Sequence, residues 1–366
     1  MRKIVKNGIA LPLLVLLFIV ASCAGIRGSL QTTGIYELAL IADTSSEYHN
    51  SFILGSWEGL YRFAKERNIS SKLYSPKEDS QEALLEVIEQ AIQNGARVIV
   101  CSGINFEVPV FIAQDKNPDV RFILVDSIPL SPDGSTYRTG INTASLLFAE
   151  DQAGFLAGYA AVKDGYRRLG FMGGMAVPSV IRFGYGFIQG AEYAAGQLQL
   201  PVGSVVIKYH YTGNFIESPQ TQALAASWFS GGVEVIFACG GALGRSVMAA
   251  AEETGGKVIG VDVDQSIESQ TVITSAMKGL QDSIYSVIAA FYAGRFKGGQ
   301  AVVFSAANNG VGLPMETSRF NSFSADDYNV IFQKLVNGTI PRIVYLDSAG
   351  SLRRIPLTIV KIEEIL

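Results

Sequence analysis

Two side chains near the start of the chain have the types and spacing of a small-molecule site. Asp43 follows an apolar run (residues 36–41) that predicts a strand, and Phe52 stands at the start of a predicted helix that begins near Ser51. Open α/β sheets bind ligands at such a turn, because the carboxyl ends of strands and the amino ends of helices meet in one crevice. The turn is therefore a candidate ligand-binding site.

Residue types needed for common catalytic sites are scarce. The chain has two histidines, His49 and His210, and its cysteines and carboxylates show no metal-ligand spacing. It contains neither a G-x-S-x-G nucleophile elbow nor a G-x-x-x-x-G-K-[ST] phosphate loop. Residues 240–244 (GGALG) lack the full glycine spacing of a dinucleotide fingerprint. We expect no catalytic residue, no metal and no cofactor.

The second half of the chain repeats the first. Three blocks recur at offsets of 131 to 137 residues: Phe52, Gly55 and Gly59 as Phe183, Gly186 and Gly190; 95–101 as 232–239; and 122–126 as 258–262. The last two blocks contain short apolar strands, and segments of helical periodicity separate successive strands in each half. Two such halves predict an α/β protein with two doubly wound lobes.

The order of these elements predicts that the chain passes repeatedly between the lobes. We place the first lobe at 35–143 plus 273–300, the second lobe at 144–272 plus 301–345, and a C-terminal tail without a predicted position at 346–366. Residues 139–143, 271–276 and 301–314 are predicted as crossings. A predicted helix at 280–291 returns to the first lobe, and another at 325–337 closes the second. The Ala- and Gly-rich run 146–164 predicts a closely packed helix.

The amino terminus predicts export. Three cations in the first six residues precede an apolar run that is too short for a stable membrane span, so residues 1–22 are predicted to be a signal peptide. Residues 20–23 (VASC) resemble a bacterial lipobox, which implies cleavage before Cys23 and its lipidation. Residues 23–34 would then be a lipid-anchored tether. An ordinary signal peptide with an incidental cysteine, or an uncleaved anchor, is the alternative.

The composition suits a compact exported protein. Formal net charge is −4, or about −7 without the three N-terminal cations, and no basic sequence cluster remains that could hold nucleic acid. Apolar residues make up 48% of the chain, enough for two cores. Cys101 and Cys239 end equivalent predicted strands, and we predict that both are buried free thiols rather than a disulfide.

Several motifs in combination resemble the basic membrane protein family, the purine-nucleoside-receptor-like lipoproteins of bacterial ABC transporters. They cover roughly residues 36–297 and comprise Asp43, Ser51-Phe52, 57–59, 148–159 (FAEDQAGFLAGY), 173–174, Arg182-Phe183, 236–253 and 259–266 (IGVDVDQS). The resemblance implies a type I periplasmic-binding-protein fold, in which two Rossmann-like lobes joined by crossing strands clamp a nucleoside. It also implies an ABC permease and ATPase as partners, and no enzymatic activity.

For the base of the nucleoside, the resemblance implies three contacts. Asp43 would accept hydrogen bonds from the edge of the base, and Phe52 and Phe215 would stack on its two faces. The family usually continues Ser-Phe with Asn-Gln. Here Ile53 and Leu54 follow Phe52, so we expect a less polar pocket rim.

For the sugar, the resemblance implies contacts from the second half of the chain. Gly241, Asp262 and Lys278 would hold the ribose hydroxyls, with Asp126 lining the pocket. Three alternatives stay open at this point. A riboflavin receptor on the same fold would use the same stacking, a Rossmann-like enzyme would share the lobes, and a sensor would present its closed form to a signalling partner.

Overall fold

The structure, a computed structural model, describes residues 35–42, 51–78, 80–340 and 355–365. The predicted signal peptide (1–22) and tether (23–34) lie outside these ranges, as do Cys23, Asp43 and His49. Within the described ranges, the helices lack the combination of length and apolar character that a membrane span needs.

The first lobe contains a six-stranded parallel sheet. Its strands are β1 (Leu38–Ile41), β2 (Ser71–Tyr74), β3 (Val98–Ser102), β4 (Arg121–Val125), β5 (Thr143–Phe148) and β11 (Gln300–Phe304). They lie in the order β11-β5-β4-β3-β1-β2, and neighbouring strands are parallel throughout. β1 and β3 are buried along their whole length, which explains why their sequences are continuously apolar rather than alternating.

The second lobe contains a seven-stranded sheet. Its strands are β6 (Arg168–Gly173), β7 (Val205–Tyr211), β8 (Val235–Cys239), β9 (Lys257–Asp262), β10 (Val272–Lys278), β12 (Val311–Gly312) and β13 (Val360–Glu364). The order is β12-β10-β9-β8-β6-β7-β13, and only β12 pairs antiparallel among these strands. The tail without a predicted position thus ends in an edge strand beside β7.

Helices follow most strands and have identifiable starts. They are α1 (Ser51–Arg67), α2 (Gln81–Gln93), α3 (Glu107–Lys116), α4 (Glu150–Lys163), α5 (Pro178–Gln197), α6 (Pro219–Ser230), α7 (Leu243–Thr254), α8 (Leu280–Tyr292) and α9 (Ala325–Val336). Ser80, Ser218 and Ser324 cap α2, α6 and α9 by accepting a backbone N–H. Pro178 and Pro219 occupy first-turn positions, where a missing N–H costs nothing.

The internal repeat predicted from the sequence is confirmed. Both sheets contain five strands in the doubly wound order 2-1-3-4-5: β2-β1-β3-β4-β5 in the first lobe and β7-β6-β8-β9-β10 in the second. Asp126 directly follows β4, and Asp262 is the last residue of β9. Both residues have left-handed backbone conformations, with φ of 66° and 69°. The repeat therefore extends to the geometry of individual strand ends.

The glycines of the repeat allow close helix packing in both lobes. A Cβ on Gly59 of α1 would overlap the backbone of Gln281 in α8. In the second lobe, a Cβ on Gly186 or Gly190 of α5 would overlap the backbone carbonyls of Asp151 or Phe155 in α4. The predicted close packing of the Ala- and Gly-rich helix is thus confirmed, and α8 packs on the first lobe as expected.

One element starts later than predicted. The sequence predicts that the run 146–148 begins a helix, but it belongs to β5, which pairs with β4 and β11. The helix α4 starts only at Glu150. A short apolar run fits a buried strand as well as a buried helix, and here its place between two parallel strands determines the outcome.

Because of this strand, the first crossing differs from the prediction. Residues 139–143 lead into β5 of the first sheet, so the chain first leaves that lobe after Phe148. β10 likewise pairs with β9 in the second sheet, and the next crossing follows Lys278. β11 lies in the first sheet and β12 in the second, which confirms the last crossing. The expected lobe boundaries near 143, 272 and 300 therefore shift by a few residues each.

Cys101 and Cys239 are buried and unpaired, as predicted. Burial raises the pKa of both thiols above the ordinary value, so both stay protonated at neutral pH. They pack as small apolar side chains in their strands.

Candidate functional site

A cleft of about 300 Å³ lies between the carboxyl edges of the two sheets, at the lower end of the size range of small-molecule sites. Six of the predicted ligand-binding residues line it: Phe52, Asp126, Phe215, Gly241, Asp262 and Lys278. Asp43, the seventh, lies outside the described residues. Side chains far apart in the sequence therefore line one cleft.

The ammonium group of Lys278 occupies the polar part of this cleft. Lys278 ends β10 and is only 4% exposed. Its Nζ donates a hydrogen bond to Asp126 Oδ2, and lies 3.3 Å from Asp262 Oδ1 and 3.4 Å from Glu150 Oε1. Asp126 follows a strand of the first sheet and Asp262 ends a strand of the second, so one lysine joins carboxylates from both lobes.

Glu150 brings a second cation into this cluster. It is fully buried at the start of α4, and its Oε2 accepts a hydrogen bond from Arg182 Nε at 2.5 Å. Glu150 and Lys278 each lie next to a crossing between the lobes. The buried group therefore contains three carboxylates and two cations, so it carries an excess of negative charge when all five are ionised.

Burial and charge act against each other on these groups. Burial raises the pKa of Asp126 to about 7, because desolvation and the nearby Glu150 and Asp262 outweigh the attraction of Lys278. Burial likewise raises the pKa of Asp262, although Lys278 opposes this shift. For Lys278, burial alone would lower the pKa, but the carboxylates of Asp126, Asp262 and Glu150 raise it instead. The lysine is therefore a permanent cation.

Two carboxylate oxygens in the cleft can accept hydrogen bonds that no protein group donates among the described residues. Among the described residues, none donates a hydrogen bond to Asp126 Oδ1, and Asp262 Oδ1 has only its 3.3 Å ion pair with Lys278. A buried acceptor without a donor costs free energy, so native proteins rarely leave one that way. A ligand that brings hydroxyl donors would satisfy both oxygens.

Aromatic rings form the walls of the cleft. Phe52 stands in the first turn of α1, and Phe215 lies in the loop between β7 and α6. Phe183 also lines the cleft, and Lys278 Nζ lies 5.2 Å from the ring centroids of both Phe52 and Phe183. These distances fit cation–π contacts. A flat ligand in this cleft would meet aromatic surface beside a buried cation.

Glycines give Phe215 its position. A Cβ on Gly174 would overlap the Phe215 ring, and one on Gly240 would lie 3.4 Å from it. Gly241 has a left-handed φ of 54°, a conformation that favours glycine, at the loop before α7. The glycine pair that resembled part of a dinucleotide fingerprint thus serves to place an aromatic ring and the cleft wall.

Several cleft residues were not assigned from the sequence. Arg182, Asn105 and Glu107 line the cleft. Glu150 does not line it but contacts Lys278, which does. Burial raises the pKa of Glu107, while a hydrogen bond from the Ser127 hydroxyl opposes the shift. Glu150 and Arg182 belong to two separate motifs of the family resemblance, 148–159 and Arg182-Phe183, and only the fold shows that the two side chains meet.

The less polar pocket rim that the sequence predicts next to Phe52 is not observed in the cleft. Ile53 is buried in the core of the first lobe, and neither it nor Leu54 lines the cleft. His210 lies elsewhere too, with its Nδ1 2.7 Å from the carbonyl oxygen of Ile365. In the described part of the chain, no cluster of His, Cys, Asp and Glu has the arrangement of a metal site.

Comparisons with known proteins agree with this geometry. Residues 38–344 match the protein family described as ABC transporter substrate-binding protein PnrA-like. The ABC transporter nucleoside-binding protein BmpA of Lactococcus lactis is 25% identical over 317 residues, covering 81% of this chain and 85% of the relative. Basic membrane protein B of Borreliella burgdorferi is 25% identical over 330 residues, with coverages of 88% and 92%.

A solved structure supports the fold. An ABC transporter solute-binding protein from Aeropyrum pernix superimposes with a TM-score of 0.72 at 21% identity, covering 86% of this chain and 95% of the other. At this level of identity the similarity concerns the two-lobed architecture. It agrees with two doubly wound lobes around a central cleft.

Proposed function

The chain belongs to the family of PnrA-like ABC transporter substrate-binding proteins, and on this basis we propose that it is a receptor that clamps a nucleoside between its two lobes. Proteins of this family deliver small molecules to a membrane permease that an ATPase drives. We infer the nucleoside from the lining of the cleft. The relative from Lactococcus lactis, whose name states that it binds nucleosides, supports it.

The main support for this proposal is that aromatic side chains and carboxylate oxygens without hydrogen-bond donors line the same cleft. Phe52 and Phe215 supply flat apolar surfaces, while Asp126 and Asp262 present acceptor oxygens beside the Lys278 ammonium. A nucleoside has the matching parts, a flat heteroaromatic base and a sugar with neighbouring hydroxyl groups. A purely apolar ligand would leave the carboxylate oxygens unsatisfied, and a free base would leave them without the sugar donors.

In this proposal, each part of the nucleoside meets a different group of residues. Phe52 and Phe215 stack on the base, a contact worth about 1–3 kcal/mol per base. Asp43 accepts hydrogen bonds from the edge of the base, as the family resemblance implies. Asp262 and Lys278 hold the ribose hydroxyls.

The remaining contacts complete the site. Gly241 lets the backbone approach the ribose closely, and Asp126 lines the pocket next to Lys278. A site built to hydrogen-bond hydroxyl groups rejects analogues that lack them, because its buried polar atoms would then have no partner. Ribose recognition therefore gives the receptor selectivity for a nucleoside over its free base.

A flavin receptor is the second candidate. Ile104, Val177 and Val180 extend the apolar lining of the cleft, which would suit a larger fused ring with a polyol chain. The cleft volume of about 300 Å³ favours the smaller ring system of a nucleoside. Both candidates would use the same aromatic surfaces, so a direct identification of the ligand is needed.

We further propose where the receptor works and what it does with its ligand. Lipidation of Cys23 would anchor it on the outer side of the cell membrane, where it would meet the permease. The ligand would be released unchanged, because the cleft serves binding and the catalytic patterns considered above are missing from the sequence. A sensory role would need a signalling partner in place of the permease.

The experiment that identifies the ligand is mass spectrometry of small molecules released from the denatured, purified protein. We expect a nucleoside at a stoichiometric amount. Calorimetric titration with that nucleoside, its free base and riboflavin would then follow. Release of riboflavin, together with tight riboflavin binding and no nucleoside binding, would assign the site to the flavin instead.

A further inference from the structure

The end of the first lobe opposite the cleft brings together residues that precede its strands. Arg97 N donates a hydrogen bond to Glu37 O at 2.9 Å, and Arg121 N donates to Arg97 O at the same distance. On the other side, Gly299 N donates to Thr143 O at 2.9 Å. Because the strands are parallel, their amino ends form one continuous edge. We call this edge, with the adjoining connection from α8 to β11, the base of the first lobe.

The base of the first lobe carries several cations without acidic partners. Arg121 and Lys297 line a groove of about 480 Å³ together with Phe291 and Phe296. Arg295 is exposed in the same connection. Within the described residues, Arg121, Arg295 and Lys297 form no ion pair with a carboxylate. Their charges are therefore available to an anionic partner.

Exposed apolar side chains accompany these cations. Ile141 borders the groove and is 85% exposed, and Ile35 is 76% exposed at the start of the described chain. Phe291 and Phe296 are only partly buried and pack edge to face beside them. Apolar side chains surrounded by Lys and Arg are the combination found where proteins contact an anionic bilayer surface.

The second lobe offers an internal comparison. Arg97 precedes β3, whereas the equivalent residue before β8 is Glu234. Glu234 accepts hydrogen bonds from the backbone N–H groups of Arg167 and Arg168 at 2.7 Å and 2.8 Å. Lys257 at the start of β9 is the counterpart of Arg121, and Arg167 and Arg168 stand at the start of β6. Both edges therefore carry cations, and the first lobe adds Arg295 and Lys297 in its connection from α8 to β11, in a protein whose net charge is −4.

The described chain also begins at this end of the molecule. Tyr36 N donates to Asn94 O at 2.8 Å, next to the start of β3, so Ile35 lies at the base of the first lobe. Ile35 follows Cys23 by twelve positions in the sequence. A segment of that length spans at most about 40 Å. A lipid on Cys23 would therefore keep this end of the receptor close to the bilayer.

We propose that the base of the first lobe is a membrane-contact surface that binds anionic phospholipid headgroups through Arg121, Arg295 and Lys297. The proposal rests on the lipid anchor proposed above. The surface and the cleft lie at opposite ends of the strands, so the anchored receptor can rest on the bilayer while its cleft stays open to ligand.

The expected strength of this contact follows from its charges. Each cation close to an anionic surface strengthens binding about fivefold, so two cations contribute roughly 25-fold. The attraction is screened over about 10 Å at about 0.1 M salt, and raising the salt concentration should weaken it. The contact is therefore reversible and sensitive to lipid charge.

The test uses the full chain isolated with its lipid and reconstituted into vesicles. One set of vesicles contains phosphatidylcholine alone, and the other also contains phosphatidylglycerol. Acylation rates of individual lysines are followed by mass spectrometry. We expect Lys297 in the connection from α8 to β11, and Lys65 in the last turn of α1 shortly before β2 begins, to be protected only in the anionic vesicles. Lys163 and Lys334, in the second lobe, should react equally in both.

Two double variants distinguish an effect of this surface from an effect of the protein's overall charge. Arg121→Gln with Arg295→Gln should reduce the protection of Lys65 and Lys297 roughly 25-fold. Lys163→Gln with Lys334→Gln, which removes the same charge from the second lobe, should leave the protection of Lys65 and Lys297 unchanged. Unfolding midpoints and nucleoside affinity, measured on the same samples, should match the parent in both variants, which separates this test from the test of ligand binding.

Three outcomes would overturn the proposal. One is an equal acylation rate at Lys65 and Lys297 in both kinds of vesicle. Another is equal protection of both lobes, which would indicate non-specific adsorption. The third is protection in native membranes but not in protein-free anionic vesicles, which would assign the surface to a protein partner.

Discussion

Asp126 and Asp262 occupy equivalent ends of β4 and β9, and their carboxylates meet on the same ammonium group of Lys278. Each residue has a left-handed backbone conformation, with φ of 66° and 69°, which turns the chain at the end of its strand. The repeat thus supplies one carboxylate from each lobe. Lys278, at a crossing between the lobes, contacts a carboxylate of each lobe and lines the cleft between them.

Removing either stacking ring should weaken binding. Phe52→Ala and Phe215→Ala should each cost about 1–3 kcal/mol of binding free energy, because each ring would cover one face of the base. Calorimetric titration with a nucleoside measures this loss. Phe111→Ala is the matched control, since Phe111 lies under Arg138 outside the cleft. Unchanged affinity in both cleft variants would contradict the stacking arrangement.

Removing the ammonium should destabilise the fold. Lys278→Met leaves Asp126, Glu150 and Asp262 without their shared cation, and breaking a buried pair typically costs about 3–5 kcal/mol. Urea unfolding of the ligand-free protein would measure the change in the free energy of unfolding. Lys334→Met, on the second lobe, should change it little. A loss below about 1 kcal/mol would mean that the cluster contributes little to folding.

Stability should fall as pH rises through the range where Asp126 titrates. Its pKa is raised to about 7 by burial, above the ordinary 3.8, so the folded state holds a proton that the unfolded state has released. This contribution is fully present below the ordinary pKa and is lost as pH rises to about 7. Asp126→Asn should remove this part of the slope. An identical pH dependence of unfolding in parent and variant would contradict the shift.

The cluster also shows how far the sequence predicts the site. The internal repeat places Asp126 and Asp262 at equivalent strand ends, and the family resemblance implies that both belong to the site. Arg182 and Glu150 were not assigned, because their pairing depends on how α4 packs against α5. Periodicity identifies a helix and its apolar side, but it does not say which buried charges will meet.

The same limit explains the misplaced element boundary. Residues 146–148 are apolar and precede an Ala-rich helix, so the sequence alone supports strand and helix equally. Only pairing with β4 and β11 shows that they form a strand. The lobes themselves were predictable, since each repeats the same order of strands and helices. The tail was not, because β13 is a short edge strand with mixed polarity.

The proposed lipid anchor can be tested by changing one residue. Because Cys23 follows Val-Ala-Ser at the end of an apolar run, Cys23→Ala should leave the precursor unprocessed. Labelling with a radioactive fatty acid, followed by fractionation, would detect the change. Ser22→Ala keeps the cysteine and is the matched control. Normal processing and fractionation of Cys23→Ala would contradict lipidation at this position.

The central proposal is that Asp262 recognises the sugar. Asp262→Ala should weaken nucleoside binding by about 1.5–3 kcal/mol, the range for hydrogen bonds to a charged group. The affinity for the corresponding free base should hardly change, because the base has no ribose hydroxyls. Asp264→Ala removes a nearby carboxylate that instead accepts a hydrogen bond from Thr317 at 2.6 Å, so it serves as the control.

Calorimetric titration of the parent and Asp262→Ala, with a nucleoside and its free base, therefore compares two differences in binding free energy. We predict a large loss for the nucleoside and a small one for the base. Equal losses for the two ligands would contradict ribose recognition by Asp262.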